Sequence, residues 1–173
     1  RFRHQGGWAG YKAQVLAALM IPVMNLALVV GVGAVMPLAL RGSPAPWAVA
    51  ALATAISLLL PAGPLAGLFV APWVLLTIVA GVRALSQREV WPALIAGFAG
   101  TASLALVASR LEFTLFGISE PIVKLTALHF TYAGAGTLAL AVRLHEARPE
   151  RWSSVARVLV LLAPPVVASG FVA

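Results

Sequence analysis

Ala13 to Leu40 reads AQVLAALMIPVMNLALVVGVGAVMPLAL, a run without one charged side chain. A helix needs roughly 20 apolar residues to cross the ~30 Å hydrocarbon core of a bilayer, so this run is long enough to span with tilt. Pro22, Asn25 and Pro37 inside it predict a kink or a shortened lipid-crossing part. The following Arg41-Gly-Ser-Pro-Ala-Pro ends it as a turn.

Outward from this run the pattern repeats. The chain has 173 residues, of which 61% are hydrophobic and 10% charged, and its mean hydropathy is +0.98. A soluble domain of this size does not carry so little charge over such long apolar stretches, so lipid is the solvent. Proline, glycine and charged punctuation divides the sequence into an all-α, polytopic transmembrane helix bundle of about six spans. They are expected at about 13–40, 47–60, 65–84, 91–108, 121–144 and 155–173, within one integral membrane domain covering 1–173. Pro61-Ala-Gly-Pro64 makes a hairpin of the second and third spans, whose Trp47 and Trp73 suit the interface or, for Trp73, packing between helices. Gly97, Gly100 and Ser103 predict a close-packed small-residue stripe on the fourth. Pro164-Pro165 predicts a kink or break in the sixth. Arg110 to Glu120 reads as an interfacial loop, and Gly6, Gly7, Trp8 and Tyr11 as an interfacial approach. Arg at position 1 and an apolar run reaching Ala173 predict a part of a longer chain, with no removed signal peptide at its start.

The formal charge is +7, from 12 Lys and Arg against five Asp and Glu. These cations fall in short loops, where the positive-inside bias and anionic headgroups account for them, and no contiguous basic face for nucleic acid exists. Seven loop arginines, from Arg41 to Arg157, lie on one side against Arg1, Arg3, Lys12 and Arg110 on the other. That predicts the N-terminus outside, in a bacterial cytoplasmic membrane. With no Cys and three scattered His, no metal site is expected, and no cofactor.

One span is polar. FGISEPIVKLTALHFTYAG, Phe116 to Gly134, places Glu120, Lys124, Thr126, His129, Thr131 and Tyr132 at the start of the fifth apolar run. Polar groups in lipid must find partners, reach an interface or line a cavity. Glu120 precedes Lys124 by four residues, the order that favours a helical ion pair, near the interface where a lysine snorkels. His129 lies two to three turns in, where an imidazole needs a hydrogen bond, to Thr126 or across the bundle to Asn25, or else a water-filled cavity in which it carries protons. Gly134 and Gly136 admit a neighbouring helix or a flat ligand. The candidate ligand- or proton-binding residues are therefore His129, Thr126, Tyr132, Glu120, Lys124 and Asn25; the competing account is a capping carboxylate with a snorkelling lysine for Glu120 and Lys124, and interhelical hydrogen bonding or packing for His129 and Tyr132.

The same stretch resembles the YndJ-like family of bacterial membrane proteins, whose hallmark is close to Leu-Thr-x-x-His-Phe-His-x-Ala-Gly. Here it stands as Leu125-Thr126-Ala-Leu-His129-Phe130-Thr131-Tyr132-Ala133-Gly134. The similarity extends through LEFTLFGISEPIV and, more loosely, through VMPLAL at Val35 to Leu40 and SLLLPAGPLAG at Ser57 to Gly67. It implies a multi-span membrane protein, sometimes labelled a transporter, and marks Thr126, His129, Phe130, Ala133 and Gly134. Thr131 stands where the family has a second His, which argues against a paired-histidine site.

These features predict a transporter-like or small-molecule-binding membrane protein with a polar site on the fifth helix, surrounded by lipid and taking a small-molecule or lipid ligand. An intramembrane enzyme acting on a lipid or isoprenoid, with Glu120 or His129 moving the proton, is the alternative. A structural or assembly subunit is the third. The sequence has no Asp and no phosphate-binding loop.

Overall fold

A computed structural model describes residues 19–114 and 120–170. The basic start, the first residues of the first span, 115–119 of the expected interfacial loop, and 171–173 lie outside the described residues. Within them the fold is all-helical, with six helices. They are α1, Leu19–Ala39; α2, Pro44–Leu59; α3, Pro64–Ser86; α4, Val90–Arg110; α5, Ile122–Ala147; and α6, Arg151–Ser169. Of these, α1, α3, α4 and α5 are long and apolar enough to cross a membrane.

The bundle is oily on both sides of its helices. Leu28, Met36, Trp73, Leu106 and Leu138 are fully buried, yet Leu26, Leu52 and Leu140 are 66, 64 and 68% exposed. Apolar side chains that face outward at this density are compatible with a membrane protein. Inside, alanines 50, 99, 102 and 135 bring backbones close without loss of packing. Buried hydroxyls turn to main-chain carbonyls, as Ser57 does to Ala66 at 2.7 Å and Ser103 to Gly100 at 2.9 Å. Donating to a carbonyl settles a hydroxyl where no water is available.

Two helices depart from regular α geometry, and at the same level. α1 is π-helical over Gly31–Val35 and α5 over Phe130–Gly136. In α1 the segment ends two residues before Pro37, whose missing N–H breaks the regular ladder. α1 and α5 run parallel: Tyr132 bonds Ala27, Arg143 bonds Leu38, and Arg41 pairs with Glu146. Glycine lets them meet, for a Cβ on Gly31 would stand 2.6 Å from the Thr131 methyl and one on Gly136 would stand 3.1 Å from Val35.

Elsewhere the punctuation acts unevenly. α3 breaks into Pro64–Leu68 and Ala71–Ser86 at Phe69 and Val70, with Pro72 in the first turn of the second piece. α6 instead continues through Pro164 and Pro165. Trp47 and Trp73 are both buried. The expected small-residue stripe on α4 is only half used, since nothing approaches within 4 Å of a Cβ placed on Gly97 or Gly100. Ala99, Ala102, Ser103 and Ala105 on the neighbouring face are buried instead.

Candidate functional site

The polar residues of α5 separate into a middle layer and an outer end. In the middle, the Tyr132 hydroxyl donates to the Ala27 carbonyl at 2.7 Å, and Thr131 donates to Ala127 of its own helix at 2.7 Å. Thr126 likewise folds back on Ile122 at 3.0 Å. His129 sets its ring edge-on to Phe130, with centroids 5.7 Å apart. Its Nε2 is buried and, like Asn25 Oδ1, finds no partner among the described residues. No hydrogen bond joins His129 to Asn25 or to Thr126. Gly134 receives the Phe98 ring of α4, so a helix and not a flat ligand occupies the space it opens.

At the outer end, Glu120 precedes the first turn of α5 and forms no ion pair with Lys124 among the described residues. Glu112, Glu120 and Lys124 share this end with Arg110 at longer range, without an ion pair to it among the described residues. Arg110 is 8% exposed. Its Nη2 donates to the Leu60 carbonyl at 2.5 Å, and its own carbonyl accepts from Gly63 N–H at 2.7 Å. Gly63 has φ 149°, a conformation that L side chains resist, so the α2–α3 turn depends on glycine to dock here. This end is a lock between helices.

The opposite end opens. A cavity of about 390 Å³ lies where the end of α1, the start of α2, the last turns of α3, the start of α4 and the second half of α5 meet. That is within the ~300–1,000 Å³ range of small-molecule sites. Trp47, Leu76, Ile95 and Val142 line it together with Arg41, Arg83, Arg143, Gln87, Glu89 and Glu146. Arg41 pairs with Glu146, and Arg143 donates to the Leu38 carbonyl. Arg41 also holds φ at 52°, a left-handed backbone that is uncommon outside glycine. None of these residues was among the candidates drawn from the sequence. Each arginine alone reads as a loop cation, and only the closing of five helix ends brings them to one place.

A family model described as YndJ-like protein matches residues 12–173. No curated protein and no solved structure matches the chain.

Proposed function

The chain belongs to the YndJ-like family, and for this member we propose a transporter-like, small-molecule-binding protein that crosses the bacterial cytoplasmic membrane several times. Its site lies against the fifth helix, at the end that carries Arg143 and Glu146, not at the His129 layer. One observation carries this reading: an amphipathic cavity of about 390 Å³ bounded by five helices, with α5 contributing Ala139, Val142, Arg143 and Glu146. In the middle layer, Tyr132, Thr126 and Thr131 donate their hydroxyl hydrogens to carbonyls, which supports packing roles for them in this reading. The loop arginines 41, 83, 88, 143, 148 and 151 share the cavity's end of the bundle, and the positive-inside bias assigns that end to the cytoplasm.

The test is to fill the cavity. Ala80 lines it and is half-buried. Full-length protein extracted from its native membrane is analysed by native mass spectrometry. A bound non-protein mass is expected on the parent chain and on an outward control, Leu140→Trp, but not on Ala80→Trp. Equal retention in Ala80→Trp would move the site elsewhere.

A further inference from the structure

The charge and shape of this cavity go further than "small molecule". Resting on the reading above, we propose that it takes a single-chain anionic amphiphile, with a phosphate-like or carboxylate head among Arg83, Arg143 and Arg41 and its chain against Leu76 and Val79.

Four observations converge on that chemistry. First, the lining is mixed: Leu76 and the exposed Val79 present apolar surface beside the exposed arginines 41, 83 and 143, so a ligand with both a chain and an anionic head makes use of both. Second, cations exceed anions among the lining residues, with Arg41, Arg83 and Arg143 against Glu89 and Glu146. Of the carboxylates, Glu146 is already paired with Arg41, and Glu89 sits at the N-cap of α4, where the positive end of the helix balances it. Third, Arg83 makes no side-chain hydrogen bond or ion pair among the described residues, and Arg143 uses one nitrogen on Leu38, so guanidinium donors remain for a ligand. Guanidinium forks match phosphate and carboxylate oxygens in pairs. Fourth, the cavity lies beside the loops that the positive-inside bias turns toward the leaflet richest in anionic lipid.

A lipid headgroup and a free anion share this chemistry, and the chain distinguishes them. Full-length protein in a non-ionic detergent is titrated with monododecyl phosphate, dodecyltrimethylammonium, dodecanol and inorganic phosphate. Monododecyl phosphate is expected to bind at least about tenfold more tightly than each of the other three, the worth of one charge-assisted hydrogen bond. Arg83 is exposed, so Arg83→Gln leaves the fold intact and weakens that binding about tenfold. Glu146→Gln releases Arg41 and strengthens it. Inorganic phosphate binding as tightly as the dodecyl ester would overturn the amphiphile in favour of a free anion. Equal binding of the cationic or neutral chain, unaffected by Arg83→Gln but lost in Ala80→Trp, would overturn the anionic head and leave the cavity reading standing. Binding of none of them, together with an unaltered bound mass in Ala80→Trp, would remove both.

Discussion

Tyr132 donates its phenolic hydrogen to the carbonyl of Ala27, 2.7 Å away and 105 residues earlier in the chain. This bond ties the π-helical part of α5 to α1 just before the latter's own π-helical turn. A π-helical segment has a looser internal ladder than an α-helix, so an interhelical bond at its edge matters to where the helix stops shifting. Tyr132→Phe removes the hydroxyl and keeps the ring. The expected cost is about 1 kcal/mol, in line with interhelical hydrogen bonds in membrane bundles. Reversible unfolding in mixed detergent measures it, and an unchanged midpoint would show that the bond adds nothing net.

The Gly31 and Thr131 contact makes a sharper test, because the two positions are matched atom for atom. A Cβ on Gly31 would stand 2.6 Å from the Thr131 methyl. Gly31→Ala should therefore destabilise by about 1–3 kcal/mol, the usual range for overpacking. Thr131→Ser deletes that methyl and keeps the hydroxyl that donates to Ala127. The double variant is expected to regain most of the loss. If it is no more stable than Gly31→Ala alone, the α1–α5 approach is not what fixes glycine at this position.

Arg110 gives a third prediction. Its guanidinium reaches the Leu60 carbonyl at 2.5 Å, while its own carbonyl holds Gly63, so one residue clamps the α2–α3 turn from both sides. Arg110→Met keeps most of the stem but abandons the carbonyl. A loss of about 1.5–3 kcal/mol is expected, the worth of a hydrogen bond to a charged group. Arg110→Lys should recover only part, since an ammonium lacks the fork. Full recovery by Lys in the same unfolding assay would mean that charge alone, and not the directed bond, holds this end.

What the sequence discloses, and what it hides, follows from how far apart the participants are. Spans and turns are legible because each is a local matter: an uncharged run, then Pro, Gly or Arg. The polarity of α5 is legible for the same reason, as is Gly136 as a place where a neighbouring helix comes close. The π-helical turns are not, because a hydrogen bond shifted by one residue leaves composition and periodicity almost unchanged. The roles of Arg41, Arg83, Arg143 and Arg110 are hidden for a different reason. Topology bias alone places arginines at span ends, so their second use appears only when the ends of α1, α3 and α5, or the α2–α3 turn and α4, are seen together.

The last relationship binds α6 to the rest. Arg157 places its guanidinium carbon 4.6 Å from the ring centre of Trp91, at the start of α4. Both side chains are half-buried, so the ring face meets a cation partly stripped of water. Such contacts are worth about 0.5–1 kcal/mol when exposed and ~2 kcal/mol when desolvated. Trp91→Leu removes the π face while leaving an apolar side chain against α6, and Arg157→Met removes the charge while keeping the stem. Singly, each is expected to lower stability by more than burial alone explains. A double-mutant cycle isolates the pair, and its coupling should fall near 1 kcal/mol and survive added salt, because a partly buried contact is poorly screened. A coupling of zero would mean that Arg157 merely lies across the indole on its way to the interface, as snorkelling cations do.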